Sequence, residues 1–225
     1  MRKNRIFTEE ELKEMGRATK EVAIEAVEAG DKKRAKELIN RMGEESLFSH
    51  DAYMNWVVEL LDYIYVHNGA EALEEAIRKN FEREEGELIE SFSKIDFRGQ
   101  IQTYAKGLRM HFQKLEIEED DEKVCIKMVP CGSGQRLLES GAYDPPRNLS
   151  RMKPHRITWD RPNFPIYCAH GPLQEIIAIE KLGHPLYVHW FPDEVASESC
   201  RFCFYKDPKR IPEEVYKRVG MQKPK

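Results

Sequence analysis

A chain of 225 residues lies between one large domain and two small ones, long enough to bury a core without metal or disulfide staples. Its 36 basic and 40 acidic side chains nearly cancel to a formal charge of -4, which argues against a broad nucleic-acid footprint. No stretch approaches the roughly 18 consecutive apolar residues of a membrane span, and Met1 to Phe7 leads into no secretory apolar core. The expectation is a soluble, cytoplasmic protein without a nucleic-acid or membrane partner.

Thr8-Glu9-Glu10-Glu11 has the form of a capping box, and Leu12, Met15, Ala18, Val22, Ala23 and Ala26 keep a helical period up to Gly30-Asp31. A second helix starts at Asp31, whose carboxylate can cap it, with Ala35, Leu38, Ile39 and Met42 as its inner stripe. The strongest pattern follows Ser49: Tyr53, Trp56, Val57, Leu60, Leu61 and Ile64 recur at three- and four-residue steps and close at Asn68-Gly69. This predicts the central core helix. Ala70 to Arg83, with Leu73, Ala76, Ile77 and Phe81, and about Phe97 to Phe112, with Ile101, Tyr104, Ala105 and Leu108, complete a bundle of four or five helices.

Near Gln113 the period changes. Leu115 and Ile117, then Val124, Ile126 and Met128, alternate around the acidic turn Glu119 to Glu122, which predicts a β-hairpin. Pro145, Pro146, Pro154, Pro162 and Pro165 interrupt a long irregular stretch from about Ser140 to Tyr167. Gly171-Pro172 opens a helix that Gly183 ends; strands over Leu186 to Phe191 and Arg201 to Tyr205 and a short helix after Pro212 follow, and the tail to Lys225 frays. The expected class is α+β: a helical domain over 1–112, then a cysteine-bearing α+β domain over 113–225 with a small antiparallel sheet.

All five cysteines lie in that second part. An odd number without an export signal predicts reduced thiols rather than a disulfide framework. Cys131-Gly132-Ser133-Gly134 joins a strand to a helix, so its backbone N–H groups can converge on an anion or a thiolate; the competing reading is an ordinary Gly-rich turn, and the Gly-Lys-Ser/Thr ending of a P-loop is missing. Cys168-Ala169-His170 places a thiol and an imidazole just ahead of a helix start, a pair able to chelate an ion or act as nucleophile and base. The bland alternative is a buried cysteine beside an exposed histidine. Cys200-Arg201-Phe202-Cys203 has zinc-knuckle spacing, yet strand alternation turns its two thiols to opposite faces, unless the strand begins at Arg201 and Cys200 bends back from the preceding turn.

Cys131, Cys168, Cys200 and Cys203, with His170 replacing one of them, make a candidate metal set. Zinc suits four sulfur-rich ligands, and an iron–sulfur cluster ranks below it. Cys125 is assigned to packing. Glu175, one turn past His170, is placed to orient the imidazole or accept a proton. His189 shares a strand face with Tyr187 and Phe191 and can line a pocket, or be an ordinary structural histidine. Trp159 is expected over a cleft with Tyr167 and Phe164. The run Glu84, Glu85, Glu87, Glu90 and the turn acids read as solvated faces.

Ser199-Cys200-Arg201-Phe202-Cys203-Phe204-Tyr205 resembles the cysteine-plus-aromatic ending of the L-2-amino-thiazoline-4-carboxylic acid hydrolase-like family. Helices followed by a cysteine-bearing α+β part are also similar to the small-molecule-binding domains named after vinyl reductase. The resemblance implies a cysteine-dependent hydrolase or a ligand-binding module. Two function classes stand. The first is a zinc-dependent hydrolase or lyase acting on a small organic molecule through His170, Glu175 and His189, or, without metal, through Cys168 with His170 or His189 as base. The alternative is a small-molecule sensor or partner-binding module whose zinc is purely structural and whose helices bind the ligand or form a homodimer. A weaker third possibility is a structural interaction protein with neither metal nor reactive thiol.

Overall fold

The structure is a computed structural model that describes residues 6–84, 86–111 and 113–224. Expectations that fall on Met1 to Arg5, Glu85, Phe112 and Lys225 lie outside these residues, as do those on the side chains of Glu84 and Glu87. The chain divides into two units, Met1–Ala52 and Tyr53–Lys225. The boundary expected at 112/113 is instead the point inside the second unit where helix gives way to strand.

The first unit opens with α1 (Glu9–Met15). Its capping box is present: the Thr8 hydroxyl accepts from the Glu11 N–H at 3.1 Å, and the Thr8 N–H donates to the Glu11 carboxylate at 2.7 Å. After α2 (Thr19–Glu28), Asp31 accepts from the Arg34 N–H at 3.0 Å and so caps α3 (Lys32–Glu84). Ala23, Ala26, Ala35 and Leu38 are buried together in this unit, and the three alanines let two helices approach closely. Ile39, expected inside, is exposed.

The two helices expected over 31–68 are one. Ser49 does not cap a new helix; its hydroxyl donates back to the Glu45 carbonyl one turn earlier, at 3.2 Å, and leaves the ladder intact. The break comes at Gly69, whose φ of 88° is open to glycine and strained for other residues.

In the second unit, α3 buries Met54, Val58, Leu73 and Ile77, with Leu61, Ile64 and Tyr65 half-buried beside them. The stripe expected to be core, Tyr53, Trp56, Val57 and Leu60, faces solvent. Both stripes have a helical period, and periodicity alone does not say which one turns inward.

Then come α4 (Gly86–Lys94) and α5 (Phe97–Arg109), the latter capped by Asp96, which accepts from the Gly99 N–H at 2.7 Å. The expected hairpin is β1 (Lys114–Glu119) and β2 (Lys123–Val129); Asp120 shapes its turn by accepting from the N–H groups of Glu122 and Lys123, each at 2.8 Å. The short helix α6 (Gly134–Glu139), a two-stranded ribbon of β3 (Arg151–Met152) and β4 (Phe164–Pro165), and α7 (His170–Leu182) lead to β5 (Val188–Trp190), β6 (Arg201–Tyr205) and α8 (Glu213–Lys217). The main sheet is antiparallel in the order β1-β2-β6-β5. The fold is therefore α+β with a small antiparallel sheet in the cysteine-bearing part.

Two apolar clusters hold this unit together. One joins α3 to α6, α7 and α8 through residues such as Leu73, Leu137, Ile176 and Val215. The other seats Phe92, Ala105 and Leu108 of α4 and α5 on Ile126, Met128, Phe202 and Phe204 of the sheet. Among the described residues no helix is long and apolar enough to cross a membrane.

Register overturns one chemical expectation. Cys125 and Cys203 stand directly opposite on β2 and β6, their Cα atoms 4.1 Å apart, and they form a disulfide. Cys125 is thus a cross-link rather than a packing residue, and Cys203 has no thiolate to offer a metal. The alternation that turned Cys203 away from Cys200 also turned it toward Cys125.

Candidate functional site

Between β2 and α6 the chain passes through Pro130 to Ser133, and both flanking glycines are set by close approach. A Cβ at Gly132 would lie 2.6 Å from the Cβ of His111, and one at Gly134 would lie 2.7 Å from the Cys168 sulfur. Between them Ser133 is buried, with its hydroxyl oxygen 3.4 Å from His111 Nδ1. Ser133 also hydrogen-bonds the Tyr167 phenol, whose pKa burial pushes up. Gln135 braces the turn: its side-chain oxygen accepts from the Cys131 N–H at 3.0 Å and from the Ser199 hydroxyl at 3.2 Å.

Cys131, Cys168 and Cys200 are free. Burial pushes the Cys168 thiol well up, and proximity to Cys131 and Cys200 adds to the shift. Cys200 is raised by burial first and by Cys131 second. The three expected thiols therefore share one neighbourhood, and Cys168 and Cys200 are held neutral. Among the described residues, however, no three His, Cys, Asp or Glu side chains group so as to hold a metal ion. Of the expected ligand set of Cys131, Cys168, Cys200, Cys203 and His170, Cys203 is tied up in the disulfide, and the other four are not drawn around a single point.

His170 is half-buried at the start of α7, with Nδ1 2.5 Å from the Tyr167 carbonyl. A carbonyl partner requires the proton on Nδ1, which leaves Nε2 as the acceptor of the neutral ring. Burial lowers its pKa, partly offset by that carbonyl.

His189 is buried, its ring stacked on Phe191 at 4.1 Å and tilted against Phe202 at 4.6 Å. Among the described residues, neither ring nitrogen has a hydrogen-bond partner. Burial, then His170 and Arg218, holds its pKa well below the ordinary histidine value. A Cβ at Gly171 would lie 2.6 Å from this ring, so α7 can pass it only with glycine there.

Glu175 does not orient His170. It is 1% exposed and receives both arms of the Arg218 guanidinium, at 3.0 and 2.5 Å, as well as the His189 N–H at 3.1 Å. Burial pushes its carboxyl up while Arg218 pulls it down. Arg218 in turn lies 3.6 Å from the ring centre of Trp159 and donates to the His189 carbonyl at 3.0 Å. Trp159 thus packs on this ion pair and edge-on to Phe191, where the sequence placed it over a cleft.

A cavity of about 450 Å³ opens beside this framework. Phe92, Tyr104, Leu108, Ala178, Leu186 and Tyr187 give it an apolar wall; His111, Gln174, Glu175 and Thr103 add polar groups. Tyr187 donates its hydroxyl to Gln174 at 2.9 Å. Gly107 also lines it, and a side chain there would meet open space. His111 belongs both to this wall and to the Ser133 turn.

Sequence reading missed His111, Arg218 and Gln174 as site residues and took Ser133 only as part of a turn. The local mark on Ser133 in the sequence is the pair of glycines that flank it. No family model, no curated protein and no solved structure matches the chain.

Proposed function

We propose that the protein takes a small, mainly apolar organic molecule with one polar end into the 450 Å³ cavity and hydrolyses it at Ser133. The observation that carries this reading is His111, which lines the cavity and stands 3.4 Å from the Ser133 hydroxyl. Its Nδ1 accepts the hydroxyl proton as Oγ attacks the substrate carbonyl carbon, and the proton then passes to the leaving group. Water, deprotonated by the same nitrogen, cleaves the acyl–Ser133 bond and restores the hydroxyl. The Tyr167 phenol on Ser133 positions the nucleophile.

A fluorophosphonate probe, followed by peptide mapping, tests the assignment. Labelling of Ser133 that His111→Gln suppresses while the fold remains supports it; labelling elsewhere, or none, overturns it.

A second reading keeps the thiol chemistry, because Cys131, Cys168 and Cys200 lie in one neighbourhood. There Cys168 is the nucleophile and His170 Nε2 the base, or the protein senses a ligand without turning it over. Iodoacetamide separates these: rapid loss of activity through Cys168 favours the thiol, and indifference favours Ser133. Elemental analysis for zinc in protein purified without added metal tests the metal-bound form of this reading, in which the thiols would have to draw closer together. A cytoplasmic setting, the expected one, would expose the Cys125–Cys203 bond to reduction.

A further inference from the structure

The face of α3 that the sequence marked as core is the least explained surface of the second unit. Tyr53, Trp56, Val57, Leu60, Tyr63 and Val66 are 46–65% exposed and recur at three- and four-residue steps on one side of the helix. The opposite side, Met54, Val58 and Leu61, already packs into the core. A helix apolar on two sides has a second partner.

We infer that this stripe is the interface of a homodimer, in which α3 of one copy lies antiparallel on α3 of another about a two-fold axis near Leu60. Three features favour a second copy over a different partner. First, the centre of the stripe is self-complementary about Leu60: reversing the helix sets Leu60 opposite itself and exposed Val57 opposite exposed Tyr63, apolar against apolar.

Second, the stripe itself carries no charge. The adjacent Glu59 is engaged by Arg147 at 2.7 Å, so self-pairing sets no like charges against each other, whereas an acidic or basic partner would find nothing to answer it.

Third, the area suffices. With fully exposed aromatic side chains offering about 150–250 Å² each, the six residues present on the order of 700 Å², close to the roughly 800 Å² per partner of a standard interface. Trp and Tyr at the centre are the residue types that carry binding energy in such patches.

Sedimentation velocity over a concentration series tests this, read together with the far-ultraviolet circular dichroism of each variant. The wild-type chain is expected at twice its 26.4 kDa mass. Trp56→Glu and Leu60→Glu are expected to weaken the dimer more than about 30-fold with unchanged helicity. Leu60→Cys, nearest the axis, is expected to cross-link two chains under mild oxidation, whereas Glu75→Cys, exposed and away from the stripe, is not. A wild-type monomer overturns the proposal. So does a dimer that persists in both glutamate variants, which would place the contact on another face. A monomer that assembles only with a different protein overturns it too. None of these outcomes depends on Ser133, so this inference and the hydrolase reading fail separately.

Discussion

Arg218, just past α8, and Glu175, in the middle of α7, form a two-armed ion pair that also grips both backbone groups of His189. One side chain from near the end of the chain thereby ties α7, β5 and the Trp159 loop together. Replacing Arg218 by Met strands a buried carboxylate and should cost about 3–5 kcal/mol in urea unfolding, while Glu175→Leu with Arg218→Met should cost less than either single change. The sign with pH is specific. Burial raises the Glu175 carboxyl, so without Arg218 the folded chain binds its proton before the unfolded one does. The deficit of Arg218→Met relative to wild type should therefore shrink between about pH 8 and about pH 5.

His170 and His189 predict the opposite trend for the wild type. Both His170 and His189 have pKa values below the ordinary 6.5 in the fold. Below that pH the unfolded chain takes up protons that the folded chain refuses, so stability is full above it and falls as pH drops, by up to about 1.4 kcal/mol per pH unit for each histidine. His189→Phe should flatten the slope, read from urea midpoints across that range. An unchanged slope would remove His189 from the account.

Close packing of Gly134 on the Cys168 sulfur can be checked by a double-mutant cycle. Gly134→Ala should cost about 1–3 kcal/mol by overpacking. Added to Cys168→Ala, which removes the obstructing sulfur, the same alanine should cost clearly less; strict additivity would mean that the two sites do not touch.

Gly107 offers a test of the cavity that leaves the chemistry untouched. Because a side chain there enters open space, Gly107→Leu should fold normally, even gain helical stability, and lose ligand-induced thermal shift. Tyr187→Phe, which frees Gln174 from its phenol partner, should weaken binding of polar-ended ligands several-fold.

Local grammar was legible and long-range choice was not. The Thr8 capping box, the hairpin about Asp120, the strand at Arg201–Tyr205 and the Gly183 stop, with φ at 78°, each rest on a few neighbouring residues and are present. The inward side of α3 depended on which of two equivalent stripes met α7, and the sequence does not encode that preference locally. Cys125 with Cys203 was within reach, since strand alternation put both on the face away from Ile126 and Phe202; an argument from cysteine parity hid it. At the site, Cys131, Cys168 and Cys200 lie near one another, which their long spacings do not dictate, and His111 and Arg218 have no motif around them. Their importance comes entirely from distant segments folding onto Ser133 and Glu175.

The Cys125–Cys203 bond makes a covalent ring of the chain between them, with 78 positions separating its ends. Ser133, Tyr167, His170, His189 and every free thiol lie on that ring, and His111 and Arg218 sit on the two arms outside it. A protease that cuts once within the proline-rich stretch between Asp144 and Asn163 therefore severs the backbone without releasing a fragment. The nicked protein should run as one species without reductant and as two with it, and its two halves should find each other again after denaturation as an intramolecular event, independent of protein concentration.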